Sequence, residues 1–188
     1  MSAALTSESS LPTGVVNFTT APCRYGAVLV AATGKGICDV HLDTNRDELT
    51  ESYRRSAKSA VIWVDGDEQP PWLTAVLNLA EDPTYAFDYP LDIQGTPFQT
   101  AVWKALRKIP AGQTTTYGAL ANSIGKPAAI RAVGAACGAN RLALVIPCHR
   151  ALRKGSGPLD YRWGKAIKQK ILAAEAAWVF DSIKTMPQ

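Results

Sequence analysis

TPFQTAVWKALRKIPAGQTTTYGALANSIGKPAAIRAVGAACG, residues 96–138, is the stretch on which the fold turns. It opens as a helix start: Thr96 can cap, Pro97 suits the first helical position, and Gln99 completes a capping box. Phe98, Val102, Trp103, Leu106 and Ile109 then recur at helical spacing until Pro110-Ala111-Gly112 ends the run. Thr116 to Ile124 reads as a second short helix stopped by Gly125, and Pro127 opens a third that reaches about Ala136. Short helix, turn, short helix is the pattern of a helix-turn-helix DNA binder, and many small helical domains share it.

Outward from this stretch the chain divides. On its C-terminal side Leu142-Ala143-Leu144-Val145-Ile146 is a short apolar run that predicts a buried strand, and Trp163 to Val179 predicts a final amphipathic helix. On its N-terminal side Gly26–Ala32 and Ile37–Leu42 are β-rich, with Thr33-Gly34-Lys35-Gly36 as the hairpin turn between them. Arg46 to Ala57 reads as a polar helix, Pro70-Pro71 breaks the chain, and Trp72 to Ala80 is helical again. Pro83, Pro90 and Gly95 mark a connector, with Leu91 to Ile93 a short strand at most. Repeats and low-complexity stretches are absent. The expected organisation is α+β: a flexible N-terminus over 1–14, an α/β scaffold over 15–92, a helical domain over 93–180, and a tail over 181–188.

The 188 residues suffice for one large domain or two small ones, and 47% hydrophobic residues supply a core. No apolar run reaches the length of a bilayer span. Met1 to Pro12 has neither the basic start nor the apolar centre of a signal peptide, so an intracellular protein is expected. It would be cytoplasmic in a bacterium and nuclear in a eukaryote. Cys23, Cys38, Cys137 and Cys148 show no paired spacing, and with only His41 and His149 beside them a metal site is poorly supplied. The net charge of +4 hides an asymmetry. Between Phe98 and Lys170 the bases run through Lys104, Arg107, Lys108, Lys126, Arg131, Arg141, Arg150, Arg153, Lys154, Arg162, Lys165 and Lys168, against the single acid Asp160. Acids such as Glu48, Glu51, Asp65, Asp67, Glu68, Glu81 and Asp82 crowd the first half. A basic half suits a polyanion, and equally a solvated basic face.

The sharpest local feature is Ile146-Pro147-Cys148-His149-Arg150. A thiol reacts as thiolate, so a useful cysteine needs a base or positive surroundings, and His149 and Arg150 offer both. Taken alone, the pair also fits a buried, inert cysteine. Pro147-Cys148-His149-Arg150, however, resembles the active-site motif of the O6-alkylguanine-DNA alkyltransferases. Gly112-Gln113-Thr114-Thr115-Thr116-Tyr117-Gly118-Ala119-Leu120-Ala121 resembles the start of that family's helix-turn-helix. Arg131-Ala132-Val133-Gly134-Ala135-Ala136 resembles its recognition helix. Asn140 precedes the cysteine at the family's spacing, and Tyr161-Arg162-Trp163-Gly164 follows it as in bacterial Ada-type members. The resemblance is nearly gapless from Phe98 to Glu175. It continues more weakly through Arg24-Tyr25-Gly26, Gly36-Ile37-Cys38 and Pro90-Leu91-Asp92-Ile93.

The resemblance implies a ribonuclease-H-like N-terminal domain and a C-terminal winged-helix domain that repair double-stranded DNA directly. An alkylated guanine is swung out of the duplex, and Cys148 takes the alkyl group irreversibly, from O6-methylguanine first and O4-methylthymine second. His149 would take the thiol proton through a water, Glu175 would orient His149, and Asn140 would brace the turn before the cysteine. Tyr117 would rotate the phosphate and protonate the purine. Arg131 would fill the gap left by the base. Ala132, Gly134 and Ala135 make the recognition helix slim enough for a minor groove about 6 Å wide. Tyr161, Ala151, Arg162 and Cys137 would line the base pocket. The implied protein is a monomer acting on alkylated duplex DNA, with no cofactor, metal or membrane. Ala151-Leu152 replaces the family's usual two valines or isoleucines, and Arg141 stands where animal members carry proline. The animal zinc site is missing its histidines, and no Ada-type sensor domain is expected before Val15. Two readings from other classes compete: a lesion sensor that flips the base without transfer, and a Cys-His hydrolase that turns over small esters or amides.

Overall fold

The computed structural model describes residues 15–56, 60–64, 69–155 and 161–184, so the expected N-terminal segment and the tail beyond residue 184 lie outside the described residues. Within them the order is β1 (Val15–Cys23), β2 (Gly26–Thr33), β3 (Gly36–Asp43), α1 (Arg46–Ser56), β4 (Ala60–Trp63), α2 (Pro71–Glu81), α3 (Pro97–Leu106), β5 (Thr115–Thr116), α4 (Tyr117–Ser123), α5 (Ile130–Gly138), a 3₁₀ turn (Cys148–Arg150), β6 (Ala151–Leu152) and α6 (Lys165–Lys184). This is a mixed α and β architecture, as the sequence leads one to expect.

The four long strands form one sheet in the order β3-β2-β1-β4, antiparallel except for the parallel pair β1 and β4. The predicted hairpin turn closes at Thr33 opposite Gly36. Gly36 sits at φ +141, and a Cβ there would stand 2.3 Å from the Pro90 carbonyl oxygen, so the approach of the connector requires glycine. That connector is held on β3: Ile37 N–H donates to Pro90 O at 2.9 Å, and Asp92 N–H donates to Ile37 O at 2.9 Å. The short strand expected at Leu91–Ile93 reduces to a single bridge between Leu91 and Ile37. Strand β1 has no counterpart in the sequence reading. It is central, and Asn17, Thr19 and Thr20 are buried along with Phe18 and Ala21, so no polar–apolar alternation advertises it.

Helix α1 starts where Asn45 Oδ1 accepts from the backbone N–H groups of Asp47 and Glu48. It covers one face of the sheet, where Leu49 and Tyr53 meet Phe18, Ala27, Leu29 and Ala31. The other face carries Val28, Val30, Ile37 and Val40. These join Trp72, Leu73 and Val76 of α2 and run on into Val102, Trp103, Leu106, Val133 and Ile171 as one apolar cluster. The capping box at Thr96 and Gln99 forms as predicted, with reciprocal bonds of 2.9 and 3.2 Å. Trp103 Nε1 donates to Ala136 O at 2.9 Å and fixes α3 against α5.

Two expectations fail. Helix α5 begins at Ile130, not Pro127, because residues 126–129 close a turn in which Ala129 N–H donates to Lys126 O. The predicted strand at Leu142–Ile146 does not form. Leu142 makes one bridge to Val40, and the chain then coils, with Leu144 at φ +66. The Asn140 side chain is the cause: its amide takes the carbonyls of Leu142 and Ile146, and its oxygen takes the Leu142 N–H, so the run curls about one buried amide. Among the described residues no helix is long and apolar enough to cross a membrane.

Candidate active site

The curled segment 140–148 delivers Cys148 at the start of the 3₁₀ turn, buried to 4% exposure. Asn140, itself fully buried, directs its amide nitrogen at Cys148 Sγ at 3.1 Å as well as at the Ile146 carbonyl at 2.9 Å. One side chain therefore both shapes the turn and offers a donor to the sulfur. Burial pushes the Cys148 thiol up to about 11, against the downward pull of the Asn140 bond and of the charges on Lys168 and Arg162. The resting group is a thiol, and its activation needs a base.

His149 is buried at the next position, and its Nε2 lies 2.9 Å from Glu175 Oε1. Glu175 comes from the third turn of α6 and is the hub of the site. Arg150 grips it through Nε, 3.1 Å from each carboxylate oxygen, and through Nη2 at 2.7 Å. The Gly112 N–H adds a bond to Oε2 at 3.1 Å. Burial alone would raise this carboxyl, but the bonds from His149 and Arg150 outweigh it and hold Glu175 down to about 2. Burial lowers His149 below its ordinary value despite Glu175 beside it, since Arg150 and Lys168 add positive charge nearby. The pair is therefore an ionised carboxylate and a neutral imidazole, the form able to accept a proton. His149 Nδ1 is buried and finds no hydrogen-bond partner among the described residues.

A pocket of about 300 Å³ opens beside the cysteine, lined by Tyr117, Gly134, Cys137, Gly138, Cys148, Tyr161, Arg162 and Lys165. It brings together Cys137, Tyr161 and Arg162, three of the residues expected in the base pocket, with Tyr117 and Gly134, which were expected to meet DNA. Ala151 is not among these residues. It is fully buried in β6, paired with Thr115, and its carbonyl accepts from Lys168 Nζ at 3.0 Å. Tyr161 presents its ring edge-on to His149, at 6.3 Å between centroids, and its hydroxyl is buried without a partner among the described residues. The Tyr117 ring lies under Gly134, where an added Cβ would sit 3.7 Å away. Arg131, Ala132 and Ala135 are exposed on the neighbouring face of α5. A larger cleft of about 590 Å³ runs along β3 past Cys38, Asp39 and Arg141, but Cys148 does not line it, so the smaller pocket is the candidate site.

Two residues escaped the sequence reading as parts of the site. Arg150 figured only as positive surroundings, yet it neutralises Glu175. Lys168, at 2% exposure, lies 6.0 Å from the Tyr161 ring centroid and bears electrostatically on both Cys148 and His149. Its signal was spacing: Lys168 and Glu175 stand seven apart, on the same face of α6 as the buried Ile167 and Ile171. All four cysteines are free, and among the described residues no three metal-ligating side chains of the His, Cys, Asp and Glu types gather.

Residues 97–177 match the family model described as 6-O-methylguanine DNA methyltransferase, DNA binding domain. The chain is 38% identical to the inducible methylated-DNA–protein-cysteine methyltransferase of Bacillus subtilis, over 85% of this chain and 84% of the relative. It is 42% identical to the bifunctional transcriptional activator/DNA repair enzyme Ada of Escherichia coli, over 86% of this chain and 46% of that protein. The chain thus spans about half the length of Ada. The crystal structure of Mycobacterium tuberculosis OGT in complex with DNA is similar at a TM-score of 0.66 and 30% identity, covering 87% of this chain and 94% of that one.

Proposed function

The chain belongs to the methylated-DNA–protein-cysteine methyltransferase family, and from that premise we propose that it repairs DNA by moving an alkyl group from O6-alkylguanine in a duplex onto Cys148. O6-methylguanine is the main substrate and O4-methylthymine a lesser one. The observation that carries this reading is a buried thiol beside a neutral His149 backed by an ionised Glu175, at the edge of a pocket bounded by α5 and Tyr161.

The thiol proton passes to His149, by way of a water, and Glu175 stabilises the imidazolium that results. The sulfur, held by Asn140 and facing the charges of Lys168 and Arg162, attacks the alkyl carbon in line. A sulfur–carbon bond forms as the carbon–oxygen bond to the purine breaks. The departing purine takes a proton from Tyr117, which is reprotonated from the site, so the thiol proton is balanced by one on the base. The thioether does not regenerate, and the protein acts once, as a monomer and without a cofactor.

For DNA to reach the pocket the base must leave the stack. Ala132, Gly134 and Ala135 let α5 approach the minor groove closely, Arg131 enters the duplex in place of the base, and Tyr161, Cys137 and Arg162 receive the extruded purine. The architecture fits a ribonuclease-H-like scaffold over 15–92 and a winged-helix module over 93–180. The supports are the strand order β3-β2-β1-β4 in the first part and the β5–β6 pair flanking α4 in the second.

The test is single-turnover transfer from a duplex carrying one O6-methylguanine, followed by digestion and mass mapping. One methyl group on the Cys148 peptide, saturating at one per protein, is expected. Cys148→Ala should keep DNA binding and lose acceptance. An intact lesion under tight binding would favour a sensor, and repeated turnover of a small ester would favour a hydrolase.

A further inference from the structure

Apart from Arg131, the exposed surface of α5 is built from small residues with one exception. Ile130, its first residue, is 48% exposed, one of three large hydrophobic residues so exposed among those described. The other two stand elsewhere, Ile62 on β4 and Phe180 on α6. A single exposed aliphatic residue is ordinary on a protein surface. The surroundings of Ile130 are not. It directly precedes the exposed Arg131, it follows Ala128 and Ala129, and Ala132, Gly134 and Ala135 succeed it on the same short helix. Its Cδ1 lies 3.8 Å from the place a Cβ on Gly118 would take, so the side chain rests over the first turn of α4, next to Tyr117. The isoleucine is braced from below and stands above a slim face.

Resting on the proposed repair function, we infer that Ile130 is a second wedge, an aliphatic side chain that enters the minor groove beside Arg131 and packs against the sugars and base edges flanking the extruded nucleotide. Arg131 and Ile130 then divide the work. The arginine replaces the stacking and hydrogen bonds lost when the base leaves. The isoleucine supplies apolar contact that keeps the opened step from closing, the role that inserted aliphatic and aromatic side chains play in minor-groove binding. The contact is sequence-tolerant, because sugars and stacked edges are present at every step. Being uncharged, it releases no counterion.

The test compares wild type with Ile130→Ala and Ile130→Leu on two substrates: a duplex with one O6-methylguanine, and the free base O6-benzylguanine. Transfer is followed at subsaturating protein over a salt series. Removing most of a half-buried aliphatic contact should slow duplex transfer about fivefold in the alanine variant. The leucine variant should stay within about twofold of wild type. Free-base transfer should be unchanged in both variants, and the dependence of duplex binding on salt should keep its slope. Unchanged duplex transfer by Ile130→Ala would overturn the inference. So would an equal loss on duplex and free base, since that would mean Ile130 only supports the site through Gly118. Failure of wild type to act on the duplex would sink the repair reading itself, and this inference with it, before any variant is compared.

Discussion

Glu175→Gln removes the one negative charge that faces His149 and Arg150 in the interior, and leaves a buried guanidinium uncompensated. The expected cost is about 3 kcal/mol in urea unfolding at neutral pH. The pH dependence carries the sign. The carboxyl titrates at about 2 in the fold against an ordinary 4.5, so its contribution is complete above 4.5 and is lost as pH falls through about 2. Stability curves of wild type and variant should stand apart above pH 4.5 and converge below it; curves that stay parallel to pH 2 would contradict the hub role. Cys148 and His149 stood out in the sequence because one short motif contains them, and Asn140 entered only through its match to the family's spacing. Glu175 was reachable only through family resemblance, since a separation of 26 positions along the chain hides its contact of 2.9 Å with His149. Lys168 was missed because a lysine on a terminal helix reads as solvated, and nothing local reveals the Ala151 carbonyl that takes it inside.

Hairpins, caps and helix spacing are local physics: the hairpin at Thr33–Gly36 and the capping box at Thr96 form as read, while the start of α5 moves from Pro127 to Ile130. The hairpin at Gly36 is tight enough to test. Gly36→Ala sets a Cβ against the Pro90 carbonyl at a positive φ, and should lower stability by about 2 kcal/mol, read as a fall in Tm. A Tm equal to wild type would mean that the connector yields freely. Helix α5 is tested through Arg131→Ala, which should slow transfer from a lesion duplex at least tenfold more than transfer from free alkylated guanine. Equal losses would deny it a place in the duplex. The elements that could not be read were those whose conformation is decided elsewhere. Residues 142–146 are apolar enough for a strand, but Asn140 claims their backbone groups. Strand β1 is polar enough for a surface, but lies in the middle of the sheet with both faces covered.

At the scale of the molecule the charge asymmetry becomes a binding property. If phosphates supply most of the affinity for duplex DNA, dissociation constants should rise steeply and log-linearly with salt, by about tenfold or more between 50 and 200 mM. A flat response would place the affinity in the pocket. The four-stranded sheet comes from residues before Pro90 and α3 to α6 follow Gly95, yet one apolar cluster runs through both segments. A linear scan cannot see that continuity, because it depends on β2 and β3 facing α3 and α5. The outer edge of β3 shows what the continuity protects. Its backbone bonds go to Pro90 and Asp92 at one end, and to Arg141 and Ala143 at the other. A bare strand edge recruits further strands, from any copy that offers one. A fragment ending at residue 92 would keep the first cover and lose the second, uncovering the Val40 backbone. Light scattering should find it assembling into oligomers while the longer chain does not. The segment that carries Cys148 is then expected to act as a chaperone in cis for the sheet whose edge it covers.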